Sequence, residues 1–187
     1  MTNPHVRVCP VERAGSLDSR IRRFLQNPRR ILGPYVKEGM TVVDLGCGPG
    51  FFTIDLAEMV GESGRVIAAD LQEGMLEKLR RKIQGAALGG RITLHRCEPN
   101  RIGVPPGVDL VLAFYVVHEF PDATPLFEEI RSILNPDGRM LIVEPPLHVS
   151  RRAFEAMLQK ARDAGLVPVE PPRMRVNKIV ILKRNQP

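Results

Sequence analysis

Aromatic residues are scarce in this sequence: there is no Trp, and the two Tyr and seven Phe make up 5% of 187 residues. With so few rings, a surface that stacks successive bases of a single-stranded nucleic acid is not expected. Cysteine is sparse as well. Cys9, Cys47 and Cys97 are an odd number for a disulfide framework, lie far apart, and form neither a CxxC nor a cluster at zinc-ligand spacing. A reducing compartment and no bound metal are the expectation. Long apolar runs are missing too. The longest, Leu110–Val117, has eight residues, against the ~20 of a membrane-spanning helix. Met1–His5 opens no apolar signal core. Together these absences predict a soluble, cytoplasmic protein.

What is present is globular: 43% of the residues are hydrophobic and 26% charged. A chain of this length can bury roughly 70% of its extended surface, so the core needs no staple. The net charge of +6 is unevenly spread. Residues 1–34 hold Arg7, Arg13, Arg20, Arg22, Arg23, Arg29 and Arg30 against Glu12 and Asp18, whereas residues 35–187 are close to balanced. We read 1–34 as a basic arm without a core of its own and 35–187 as one domain. Within the arm, Leu17, Ile21, Phe24 and Leu25 share a helical face that ends near Asn27-Pro28. Such an arm can cover an adjoining site as a lid, or lie against a phosphate-bearing or membrane surface.

Along the body, short β-rich runs alternate with helical patterns. The runs are Thr41–Leu45, Arg65–Ala69, Arg91–His95, Val108–Phe114 and Arg139–Glu144, with helices expected over Phe51–Val60, Gln72–Gln84, Thr124–Leu134 and Arg151–Ala164. Near-continuous apolar runs such as Leu110-Val111-Leu112 fit strands covered on both faces. Asn135-Pro136-Asp137-Gly138 supplies turn chemistry, Ser150 an N-cap, and Gly165 a helix stop. The runs Leu166–Glu170 and Arg175–Lys183 are too close for a crossover and must form an antiparallel hairpin. The expectation is an α/β sheet of seven strands, five parallel in type and two closing the sheet antiparallel.

The strongest local signal is Asp44-Leu45-Gly46-Cys47-Gly48-Pro49-Gly50-Phe51, a strand running into a glycine-rich turn that opens a helix. Glycines let the backbone turn tightly and approach a ligand, with amide groups and a helix start facing the crevice. A dinucleotide fingerprint would place its third glycine at position 51, which is Phe, so that reading loses ground. Asp44 stands two residues before the first glycine, placed to meet a cationic group. Asp70 follows the next strand, 24 residues after Gly46, near the spacing at which a carboxylate takes ribose hydroxyls. Leu71 and Met75 beyond it are placed to flank an adenine ring.

These residues, with Pro136-Asp137-Gly138 before the fifth strand, resemble class I S-adenosylmethionine-dependent methyltransferases over roughly residues 28–183. Phe114–Asp122 and Leu126–Leu134 are similar to the small-molecule (type 11, quinone-biosynthesis-like) subgroup. The resemblance implies a Rossmann-like doubly wound sheet and S-adenosylmethionine as methyl donor. It implies that Gly46, Gly48 and Gly50 hold the methionyl end, Asp70 the ribose, and residues after the third strand the adenine, with Cys47, Glu98 and Phe114 also among the cofactor-binding residues. Where the family often has Gly-Asp-Ala, this chain has Cys97-Glu98-Pro99, so Glu98 would accept from the adenine amine on a longer stem.

Methyl transfer from a sulfonium is a direct displacement, and alignment supplies most of the rate, so no catalytic triad is expected. His118, after the fourth strand, is the candidate base if the acceptor enters protonated. Tyr115 is placed to line the cavity, with Glu144, His148 and His5 as residues that can reach its mouth. Glu144-Pro145-Pro146-Leu147 follows the wrong strand and lacks the aromatic end of an amine-methylating Asn/Asp-Pro-Pro-Tyr box. The cysteines raise a thiol mechanism, with Cys9 able to approach Cys97 only if the arm folds back. The expected partner is a small-molecule acceptor, with no specific nucleic acid. The alternatives are an RNA or protein methyltransferase using the arm, and a non-catalytic S-adenosylmethionine-binding protein.

Overall fold

The computed structural model describes residues 26–170, 173–174 and 177–185. The arm helix expected over residues 16–26, together with His5 and Cys9, therefore lies outside the described residues, apart from Gln26. The chain divides into two compact units, meeting in sequence between Pro99 and Asn100.

The first unit holds α1 (Pro28–Leu32), β1 (Thr41–Leu45), α2 (Thr53–Met59), β2 (Arg65–Asp70), α3 (Glu73–Ile83), a 3₁₀ turn at Ala87–Arg91 and β3 (Ile92–Arg96). The three strands are parallel in the order β3-β2-β1, with Val42 opposite Val66 and Val66 opposite Ile92. Small and β-branched apolar side chains line β1 and β2 because both faces are covered, and Val42, Val43, Val66 and Ala68 are fully buried. Asn27-Pro28 begins a helix here, whereas the helix expected to end near it falls on residues outside those described. The Asn27 side chain accepts from the Arg30 amide at 3.1 Å, and Pro28 takes the first-turn position that needs no N–H. Leu32 is buried, and Arg29 pairs with Glu58 of α2, so the last residues of the predicted arm are built into the body.

The second unit holds β4 (Val108–Phe114), a 3₁₀ turn at Val117–Glu119, α4 (Thr124–Ile133), β5 (Leu134–Glu144), α5 (Arg151–Asp163), β6 (Leu166–Pro168), β7 (Arg173–Met174) and β8 (Lys178–Arg184). β4 and β5 are parallel, whereas β8 runs antiparallel to β5 and also pairs antiparallel with β6 and β7. The closing hairpin is thus present. The strand count is eight among the described residues rather than seven, because Arg173–Met174 pairs with the start of β8. Asn135–Gly138 does turn the chain, but inside β5. The ladder steps from Val108 opposite Leu134 to Leu110 opposite Arg139, and Nδ2 of the Asn135 side chain donates to the Asp109 carboxylate at 2.6 Å. Ser150 caps α5 through the Ala153 amide at 3.1 Å, and Gly165 leaves the helix at φ +80°.

Candidate functional site

The glycine turn follows β1 and is fixed almost wholly by backbone. Gly46, Gly48 and Gly50 have φ of +67°, +55° and +85°, a region that side chains resist. The amides of Gly46 and Cys47 both donate to the Ala69 carbonyl, at 2.8 and 3.1 Å, and Gly50 donates to the Cys47 carbonyl at 3.1 Å. The Gly48 amide donates to the Asp70 carboxylate at 2.9 Å, while the other Asp70 oxygen accepts from the Gln72 amide at 2.8 Å. These N–H groups, expected to face the crevice, are instead engaged inside the protein. Asp70 is accordingly a strut of the turn. Burial pushes its carboxyl up from the ordinary value, against the amides of Gln72, Gly48 and Leu71, which pull it down.

The glycines differ in what they spare. A Cβ on Gly48 would meet no atom within 4 Å, so the space over it is open, as a ligand cradle requires. A Cβ on Gly50 would lie 2.4 Å from the Leu79 side chain of α3, and Leu79 is itself fully buried. Gly50 therefore serves the packing of helix on turn. Lys82, one turn further along α3, donates to the Pro49 carbonyl at 2.8 Å and ties the same two segments together.

Asp44 is 3% exposed and accepts from the Thr53 hydroxyl at 2.6 Å, so this buried carboxylate grips the start of α2. Leu71 is half-buried, but Met75 is 2% exposed beside Leu76 and Leu79 and belongs to the core. Glu98 is exposed after β3. Burial pushes the Cys47 thiol well up, with Asp44, Asp70 and Cys97 adding to it, so it stays protonated and offers no thiolate.

In the second unit the residues beyond β4 and β5 make a polar group of their own. Phe114 is buried, its ring centroid 4.4 Å from that of Tyr115. Tyr115 is the one non-glycine residue with positive φ, at +61°, among the described residues. Its hydroxyl donates to Asn177 at 2.8 Å and its amide to the Val143 carbonyl at 2.8 Å. His118 is held twice by Glu144, through its amide at 3.1 Å and through Nδ1 at 2.5 Å. Glu144 is fully buried. The Glu144 hydrogen bond raises the His118 pKa, against desolvation, with the charges of Glu144 and Glu119 helping. The exposed His148 stacks 6.4 Å from the His118 ring.

Sequence reasoning named His118 and Glu144 separately and missed that they pair. The signal was available: Phe114 and Val143 are register partners on parallel strands, so residues just past both ends converge. Thr53, Lys82 and Asn177 were not singled out, and nothing in their local sequence marks them. Among the described residues no group of His, Cys, Asp and Glu is arranged to hold a metal ion. No described helix is long and apolar enough to cross a membrane.

A family model described as methyltransferase domain matches residues 36–167. The chain is 34% identical over 123 residues to a demethylmenaquinone methyltransferase of Lactococcus lactis, covering 63% of this chain and 48% of that protein. It is 27% identical over 125 residues to a ubiquinone/menaquinone biosynthesis C-methyltransferase of an Enterobacter species, covering 65% and 50%. It thus spans about half the length of the curated relatives it matches. The crystal structure of a SAM-dependent methyltransferase from Aquifex aeolicus is similar with a TM-score of 0.83 and 26% identity, covering 94% of this chain and 98% of that one. That likeness carries the Rossmann-like α/β fold.

Proposed function

Because the chain belongs to the methyltransferase domain family, we propose that it moves a methyl group from S-adenosylmethionine to a small-molecule acceptor of the quinone-biosynthesis type. The observation that supports this most is the preset turn: an open cradle over Gly48 beside the buried carboxylate of Asp70. A carboxylate oxygen has more than one lone pair, so Asp70 can hold the Gly48 amide and still accept a ribose hydroxyl. On this reading Asp44, Gly46, Cys47, Gly48, Asp70, Leu71, Glu98 and Phe114 serve the cofactor directly. Gly50 and Met75 serve it through packing. Tyr115 and His118 act on the acceptor.

The cofactor, when bound, supplies an activated methyl on a sulfonium. The chain's own residues then have mainly to align the acceptor and exclude water, which is worth about 7–11 kcal/mol of barrier in well-oriented systems. The basic arm, residues 1–34, is proposed to cover the acceptor and to favour an anionic or membrane-associated one, and the cytoplasm is the proposed compartment.

Calorimetry with S-adenosylhomocysteine tests the assignment. The wild-type chain is expected to bind it, and Asp70→Ala to lose about 1.5–3 kcal/mol, roughly 10–150-fold in affinity. No binding by the wild type, or tighter binding of NAD, would overturn the reading.

A further inference from the structure

His118 presents two ring nitrogens with different surroundings. Nδ1 lies 2.5 Å from Oε2 of Glu144, and Oε1 of the same carboxylate accepts from the His118 amide at 3.1 Å. A carboxylate gripped at both oxygens by one residue fixes that residue's ring plane as well as its tautomer. A carboxylate oxygen accepts, so in the neutral ring this contact favours the proton on Nδ1 and leaves the lone pair on Nε2. Glu144 is fully buried, whereas the His118 side chain is 28% exposed, so the pair has a sheltered end and an open end. The charged and titratable groups around it are Glu119 on the same 3₁₀ turn, His148 stacked at 6.4 Å, Tyr115 at the end of β4, and Lys178 opposite Glu144 on β8. Lys178 turns its ammonium to the Pro146 carbonyl at 3.4 Å. Tyr115 commits its hydroxyl to Asn177.

We propose that Glu144 is a positioning residue that holds His118 with Nδ1 protonated, so that Nε2 takes the proton of a phenolic or enolic hydroxyl on the methyl acceptor. This rests on the methyltransferase reading above and narrows its acceptor class. The hydroxyl proton passes to Nε2, giving an imidazolium that Glu144 neutralises. The electron pair left behind forms the bond to the methyl carbon, at the oxygen or at the ring carbon conjugated with it; in the second case the ring C–H proton then leaves and the oxygen regains a proton, so the net loss is still one proton. The methyl–sulfur bond breaks with its pair remaining on sulfur. One proton is released per turnover, leaving from His118 to solvent through its open side. A neutral amine acceptor already carrying its lone pair would need no such base, so the pair selects for acidic hydroxyls.

The test uses the full chain, with 1,4-dihydroxynaphthalene kept reduced as the acceptor probe and methyl-labelled S-adenosylmethionine. Imidazole ¹⁵N spectra of the wild type should show His118 as the Nδ1–H tautomer. In Glu144→Gln they should show mixed tautomers and a lower pKa. The wild-type rate should climb as pH rises through the raised His118 pKa, since only neutral His118 accepts a proton. Glu144→Gln should move that limb to lower pH and reduce kcat about 10- to 100-fold, less than the ~10²–10⁴-fold loss expected for His118→Gln. Neither variant should change KM for the donor by more than a few-fold, and Glu144→Asp should restore part of the limb. A Glu144 that merely supports the fold would lower the rate and leave the limb in place, and that result overturns the proposal. So does a wild-type chain that binds S-adenosylhomocysteine yet leaves the probe unmethylated. Loss of S-adenosylhomocysteine binding would instead overturn the methyltransferase reading itself.

Discussion

Residues 26–99 and residues 100–185 present their chemistry in different materials. In the first, the turn proposed to hold the cofactor is built from main chain: three glycines at positive φ, amides tied to a carbonyl and to a carboxylate, and open space where one Cβ is missing. In the second, the group proposed to meet the acceptor is built from side chains brought together over 26 and 62 residues of sequence, His118 with Glu144 and Tyr115 with Asn177. A main-chain site is stiff and suits a ligand that never varies. Paired side chains can be exchanged one at a time without disturbing the strands that carry them, which suits the part of an enzyme that distinguishes acceptors.

The contrast is sharpest within the turn itself. Gly50→Ala should cost about 2–5 kcal/mol, combining a positive-φ penalty of ~1–2 with overpacking against Leu79 of ~1–3. Gly48→Ala should show only the first part, about 1–2 kcal/mol, because its Cβ has room. Urea denaturation midpoints of the two variants measure the difference, and equal losses would mean that Leu79 yields to the added methyl. In the second unit Tyr115→Phe should cost about 0.5–1.5 kcal/mol by leaving Asn177 without its hydroxyl donor. The same melts check it, and the turn's affinity for S-adenosylhomocysteine should stay within a few-fold.

The smallest effect is a pH dependence. His118 has a raised pKa in the folded protein, so its pairing with Glu144 stabilises fully below the unfolded value of 6.5 and is lost as pH rises through the folded value. For a partly exposed side chain the amount is about 1 kcal/mol or less. Thermal melts of wild type and His118→Gln across this window should converge at the alkaline end. A gap that widens with pH would reverse the sign and break the assignment of a charged pair.

What could be read from the sequence follows the same division. Thr41–Leu45 and Val108–Phe114 are found where apolar patterning put them, because a strand buried on both faces admits little but Val, Ile, Leu, Ala and Phe. The glycine spacing announced the turn, since positive φ leaves few alternatives. It could not say that Gly50 answers to Leu79, 29 positions away, nor that Asp70 also holds the Gly48 amide, because both depend on the packing of α3 and β2 around the turn. Asn27-Pro28 reads as a stop in the sequence, although the same pair can also cap a helix that follows, and the Arg30 amide shows that it does so here. Met75 satisfied an adenine-side position and a core position equally well, and burial chose the core.

The stapling of two loops to the end of β2 has a consequence for how a ligand arrives. Ala69 and Asp70 offer their carbonyls to the amides of Gly46 and Cys47 on one side and Cys97 on the other, and the Asp70 side chain takes Gly48. Segments outside any strand thereby have main-chain amides bonded as firmly as those within one. In hydrogen-exchange terms these four amides should be protected in the free protein, unlike those of an ordinary surface loop. Association then orders little that was disordered, so its entropy cost falls on the ligand rather than on the chain.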